Sequence, residues 1–333
     1  MIPMRMCRVL LAVGLTLAFV VSRPPWPDAQ PGLKIPRIGL LVTGPPPGEH
    51  ACVVAFLRGL TEAGLVEGRT HVLETRWAEG RPEETLPRFS TELVNLGVDL
   101  VVTVTSQGLV EAKPALATVP VVMAASNYPV ERGLVQSLSH PGGNITGIAT
   151  FTSGTFEKRM QLMAEALPRV TRVAVLRLPG DQNDYIVRDL ERSAQRLRLK
   201  LQVIEVQRPG DFPAAFETAA RGNAQAIMTA QGPFFLQHLK AFAELALKQK
   251  LPSFSGEPTA ATAGVLMSAG ASISASCHRA ATYVDRILKG AKPADLPLEQ
   301  STRLGLEINL KTAKALGVKI PSSLLLRADH VIE

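Results

Sequence analysis

The sequence predicts an α/β protein of two tandem halves on parallel sheets, and three observations predict it. Short β-rich runs alternate with amphipathic helical stretches from Ile35 to about Gly290 without interruption, the pattern of repeated strand–helix–strand units. The alternation comes as two similar series, with Asn144 to Thr150 leading out of the first. The 333 residues, 46% hydrophobic and 20% charged, suffice for two cores of ordinary size.

The first series opens with a strand at Ile35 to Thr43. A helix comes next with Val53, Phe56, Leu57 and Leu60 on its apolar face, stopped by Gly64. Strands are expected at His71 to Trp77, Leu100 to Thr105 and Val119 to Ala124, with helices at Pro82 to Leu96 and Ser106 to Leu116. The second series begins with a helix carrying Phe156, Met160, Met163 and Leu167. It continues as a strand at Arg172 to Leu178, a helix at Asp184 to Leu197, a strand at Leu201 to Val206, a helix at Phe212 to Ala220 and a strand at Ala226 to Ala230. One helix with Phe235, Leu239, Phe242 and Ala246 precedes strands at Pro252 to Ser255 and Val265 to Ser268. A last helix places Ile273, Cys277, Ala280, Val284 and Ile287 on one face and ends at Gly290.

The N-terminal segment differs in kind. Arg5 and Arg8 precede an apolar run from Val9 to Val21, of signal-peptide length and shorter than a membrane span. Cys7 lies before this run, whereas a lipid-bearing cysteine would come after it. A signal segment over residues 1–29, cut near Ser22 or Ala29, is expected, with export to the periplasm. An uncleaved anchor is the alternative, and it leaves the same domain outside the membrane.

The net charge of +7 is scattered, with no basic run interleaved with aromatics, so nucleic acid is not an expected partner. Arg188, Arg192 and Arg196, four apart, read as a solvated helix face, with Asp184 placed to pair with Arg188. There is no GxxxxGK[ST], no HExxH and no CxxC, so neither nucleotide hydrolysis nor metal catalysis is indicated, and no cofactor is expected. His50, Cys52, Cys277 and His278 would make a zinc site only if their helices met.

Parallel sheets bind ligands at the carboxyl ends of their strands, so the residues just after each strand are the candidates. Thr43 and Gly44 end the first strand, where Pro45, Pro46 and Pro47 remove the N–H donors a pyrophosphate would need. Thr105, Ser106 and Gln107 stand at a helix start, offering hydroxyls, a carboxamide and backbone N–H groups to a carboxylate or other polar end, or capping the helix. Ser106 lacks the GxSxG setting of a nucleophile. Asn127 and Tyr128, after Ser126 and before Pro129, set polar groups beside an aromatic ring. Gln231, Gly232 and Glu257 hold the equivalent positions in the second half, as ligand contacts or as turn residues.

The stretches VVMAASNYPVERGLVQSLSHPGGNITG (Val121 to Gly147), YVDRILKGAKPADLPL (Tyr283 to Leu298) and INLKTAKALGVKIP (Ile308 to Pro321) resemble signature regions of a large bacterial family of ABC-transporter substrate-binding proteins. The resemblance is collinear from about Pro36 to Glu333. It implies the type I periplasmic-binding-protein fold: two Rossmann-like lobes joined by a three-stranded hinge, the first being 35–150 plus 271–298 and the second 151–270 plus 299–333. The helix from Ala271 to Lys289 would return to the first lobe. The resemblance also implies a monomer without catalysis that captures a small organic solute, an amino acid or aromatic compound, and passes it to an ABC permease. A ligand-sensing subunit of a membrane receptor is the alternative. Two departures bear on the solute. The family pattern usually has aspartate before the proline matching Pro129, where this chain has Asn127-Tyr128, and many relatives read MSYG where it has Met267-Ser268-Ala269-Gly270.

The same resemblance brings Cys52 and Cys277 into one lobe near the hinge. There a disulfide is to be weighed against Cys277 being a small hydrophobe on the stripe of Ile273, Ala280 and Val284.

Overall fold

Residues buried on both faces of a strand read as continuous apolar runs, and Ile38–Val42, Leu100–Val102 and Val121–Ala124 are such runs. The computed structural model describes residues 35–43, 50–78, 82–104, 106–152, 154–179, 181–230, 232–301 and 304–333. The expected signal segment, Cys7, Gly44 with its prolines, Thr105 and Gln231 lie outside them.

The first series folds as β1 (Arg37–Thr43), α1 (Ala51–Glu62), β2 (Val72–Ala78), α2 (Pro82–Asn95), β3 (Leu100–Thr103), α3 (Ser106–Ala112), β4 (Val121–Asn127) and β5 (Ile145–Phe151). The second runs α4 (Thr155–Ala166), β6 (Arg172–Arg177), α5 (Asp181–Arg196), β7 (Lys200–Glu205), α6 (Phe212–Arg221), β8 (Ala226–Thr229), α7 (Pro233–Gln237), α8 (Leu239–Lys248), β9 (Ser253–Ser255) and β10 (Met267–Gly270). The chain ends with α9 (Ile273–Leu288), β11 (Glu299–Gln300), β12 (Gly305–Asn309), α10 (Leu310–Leu316), α11 (Ser322–Leu325) and β13 (His330–Ile332).

Two sheets result, ordered β11-β5-β4-β3-β1-β2 and β13-β12-β10-β9-β8-β6-β7. The chain passes between them three times: after β5, after β10 and after β11. The first sheet is parallel throughout; in the second, β12 runs antiparallel to β10. The sequence reading of parallel sheets misses this strand for a topological reason. β12 enters directly from the third passage, at the end of the sheet where β10 leaves, with no helix to carry it back to the other end.

Each face of the first sheet has its own core. α1 and α9 cover one through Phe56, Leu60, Cys277, Ala280 and Val284. Leu86, Leu93, Leu109 and Leu116 cover the other. The second sheet has a single larger core, into which Tyr128 and Phe151 also reach. Gly59 lets α1 and α9 approach closely, since a Cβ there would overlap the His278 carbonyl oxygen and sit 2.9 Å from the Ala281 Cβ.

Cys52 and Cys277 face each other at that contact and form a disulfide with Cα atoms 5.3 Å apart, closing a loop of 225 residues. Their sulfurs are therefore spent on each other rather than on a metal. His278 bonds Glu62 at 2.8 Å, and His50 lies edge-on to Trp77.

Three local expectations change. Leu57 is 36% exposed, and Cys52 and Gly59 complete the buried face of α1 in its place. The single helix expected around Phe235 and Phe242 breaks at His238, whose N–H closes on Phe235 O while its ring packs against Phe212 and Phe234. The Asp184 carboxylate binds Arg177 at 2.8 Å, and Arg188 reaches only the Asp184 backbone oxygen.

Candidate functional site

The carboxyl ends of β1, β3 and β4 in one sheet and of β8 and β9 in the other carry the sequence-predicted residues. Thr43 is the half-buried last residue of β1. Gln107 is placed only as the second residue of α3. Gly44 and Gln231 fall outside the described residues.

Ser106 begins α3 and is buried. Its Oγ accepts the Asn127 N–H, donates to Asn127 O at 3.0 Å and lies 3.0 Å from Ser126 Oγ. A hydroxyl has one proton and two lone pairs, so these three bonds saturate it. Ser106 therefore pins the start of α3 to the end of β4 and has no proton or lone pair left for a solute.

Tyr128 sits at φ +53° and is only 1% exposed. Its ring leaves the first sheet, stacks on Tyr185 with centroids 5.9 Å apart, and points its hydroxyl at Asp189 Oδ2, 3.4 Å away. Burial pushes the phenol well above its ordinary range, so it stays a donor. Asp189 is itself buried and accepts the Gly154 N–H at 3.1 Å, at the first passage between the sheets. Burial holds its carboxyl above the ordinary value despite the N–H groups of Gly154 and Phe156.

In the second half, the Gly232 N–H donates to Glu257 Oε1 at 2.7 Å, so two predicted residues meet. Glu257 is 2% exposed, and burial raises its carboxyl against the opposing pull of that N–H and of Arg159. Arg159, on α4, is fully buried. It donates to Ala269 O at 2.6 Å and to Gly256 O at 3.3 Å, and its guanidinium lies about 5 Å from the Phe151 and Phe156 rings. Burial brings it down to about 10, opposed by the charges of Glu257, Tyr128 and Asp189.

The structure thus joins Ser106, Asn127 and Tyr128 in one group and Gly232 with Glu257 in another. The buried array of Asp189, Arg159 and Glu257 lies in the second half, between them. Arg159 and Asp189 escaped the strand-end search because they sit inside helices. A signal was present: Arg159 interrupts the stripe of Phe156, Met160 and Met163, and Asp189 interrupts that of Ile186 and Leu190. A charge on a buried stripe needs a partner. Beside the passages, a cavity of about 460 Å³ is lined by Ser272, Ser276, Arg279, Glu299 and Glu307 among others; none of the sequence-predicted residues lines it.

Among the described residues, Ser106, the strand-end serine weighed as a nucleophile, is saturated. The family model for ABC transporter substrate binding proteins matches residues 38–332. The chain belongs to that family. Its members bind substrates and are not enzymes. Like them, this substrate-binding protein has the type I periplasmic-binding-protein fold. A tyrosine-binding protein of Clostridioides difficile (strain R20291) is 22% identical over 265 residues, 79% of this chain and 76% of the relative. Among solved structures, a conserved domain protein from Vibrio cholerae matches with TM-score 0.78 and 25% identity, covering 90% of this chain and 100% of that one. An ABC domain in complex with L-Trp from Streptococcus pneumonia matches with TM-score 0.75 and 25% identity, covering 89% and 100%.

Proposed function

We propose that this protein is exported, captures a small organic solute between two lobes, and delivers it to an ABC permease. The lobes are 35–150 with 271–298, and 151–270 with 299–333; Glu299 and Gln300 pair with β5 and so travel with the first. The carrying observation is the triple passage between two sheets whose strand ends hold the predicted residues, an arrangement that allows hinge closure on a ligand. Thr43, Gly44, Gln107, Asn127, Gln231 and Gly232 face the solute in this reading. Ser106, Tyr128 and Glu257, being buried and engaged, support them from beneath.

Export is supported by the disulfide, which persists in oxidising compartments, together with the N-terminal pattern. The relatives named for tyrosine and L-Trp make amino acids and aromatic compounds the first solutes to try. Mass spectrometry of small molecules released by denaturing the purified protein, and then calorimetric titration of the released compound, tests the reading. A protein that releases nothing and binds no amino acid, aromatic acid, purine or sugar is not a solute carrier. Uptake of the labelled solute should fall in cells lacking this protein, and uptake that is unchanged argues against delivery to a permease.

A further inference from the structure

Two arginines approach one tyrosine from opposite sides of the crevice. Arg132 comes after the carboxyl end of β4 and is held back onto it by its Nε, which donates to Asn127 O at 3.1 Å. Tyr185 and Arg188 lie in the first half of α5, the helix after the carboxyl end of β6. The Arg132 Cζ is 5.1 Å from the Tyr185 ring centroid and the Arg188 Cζ is 4.7 Å from it. Neither guanidinium has an ion-pair partner among the described residues. Two neighbouring carboxylates are committed elsewhere: Asp184 to Arg177, and Asp189 to Gly154 and Tyr128. Arg132 is half-buried, and burial holds it below the usual guanidinium range with no carboxylate to oppose the shift.

A half-buried guanidinium without an anion has lost water and gained nothing ionic in return. Its fork matches a carboxylate, which it binds by two parallel N–H bonds, and the exposed Arg188 against the same ring adds a second positive charge. The saturation of Ser106 removes one of the other expected anchors for an acidic end. We infer that Arg132 and Arg188 form an anion subsite that takes the carboxylate of an organic acid, bridging the two lobes. This rests on the solute-binding reading above and adds to it the charge of the solute and the residues that hold it. No carboxylate charge acts on Arg132, and Asp184 and Asp189 are engaged elsewhere, so a net-negative acid is preferred to a zwitterion.

The test is calorimetric titration of the intact mature protein with matched probes: 3-phenylpropanoate, benzoate and 4-hydroxybenzoate, their neutral carboxamides, and phenylalanine. At least one carboxylate should bind, about a hundredfold tighter than its amide and about tenfold tighter than the amino acid. R132Q and R188Q should each weaken that acid by about tenfold or more, R132K should recover part of the loss, and R196Q should bind normally. Arg196, on the same helix, already pairs with Glu157. Thermal melts of each variant separate lost binding from lost folding. Equal affinity for acid and amide, tighter binding of phenylalanine, full affinity in R132Q, or no binding of any acid overturns the subsite. A neutral sugar or purine that binds and compacts the protein overturns the subsite while leaving the solute-binding reading intact; binding of nothing overturns both.

Discussion

The Ser106 hydroxyl does three jobs with three bonds, and its loss would orphan the half-buried Asn127 N–H at the end of β4. Ser106→Ala should therefore cost about 1–2 kcal/mol in urea unfolding, from the unsatisfied donor. A loss below a few tenths would mean that water or a shift of α3 replaces the bond. Buried carboxylates make a second residue-scale prediction. Glu257 and Asp189 titrate above their ordinary values of 4.5 and 3.8, so just above those values the folded protein holds protons the unfolded chain has released. Their contribution is thus fully present below the ordinary carboxylate range and is lost as pH rises through the raised values. Melts from about pH 4 to 7 should show a decline from these groups that flattens in Glu257→Gln. A variant curve parallel to the wild type would exclude Glu257 as its source. At this scale the sequence was partly legible. Strand-end logic named Ser106, Asn127, Tyr128, Gly232 and Glu257 at the ends of strands, but not that Ser106, Tyr128 and Glu257 are buried and bonded to other groups, because which side chains are already engaged depends on neighbours brought in by folding. Tyr128 in particular turns away from its own sheet at a positive φ that no pattern announces.

At the scale of elements, periodicity located the strands and helices from β1 to α9 apart from β5, and it named none of the elements after α9. It failed where long-range packing overrides it, as at His238, where an aromatic cluster divides one apolar stripe between α7 and α8. The α1–α9 contact shows the opposite case: the stripe of α9 was legible, but its partner could be named only through family resemblance. Gly59 is the pivot of that contact. Gly59→Ala should destabilise the protein by about 1–3 kcal/mol, because the added methyl meets the backbone of α9 rather than a yielding side chain. A neutral result on chemical denaturation would mean the helices can slide apart without loss. Replacing Cys52 and Cys277 together with serine should remove about 2–4 kcal/mol, and the midpoint of the wild type should fall to match in reductant. If reduction leaves the midpoint unmoved, the covalent link adds nothing beyond the packing around it.

For the whole molecule, the proposed motion is rotation of one sheet with its helices against the other about the three passages. A solute shifts that equilibrium only if it binds the closed form better. X-ray scattering should record a smaller radius of gyration at saturating solute, and an unchanged value would leave capture without closure. Tyr128 reaches from the end of β4 into the core of the second sheet and is linked through Asp189 to Gly154, just after β5. The disulfide has a consequence of another kind. Cys52 and Cys277 enclose β2 through β10 in a covalent ring, so the strands of the second sheet up to β10 hang inside a closed loop that starts and ends on the first. A protease that cuts once within the ring leaves two fragments that still migrate as one without reductant. In a chain emerging from its N-terminus, the bond also has to wait for most of the polypeptide: an oxidant meeting Cys52 early finds no native partner, and only when α9 arrives can the ring close.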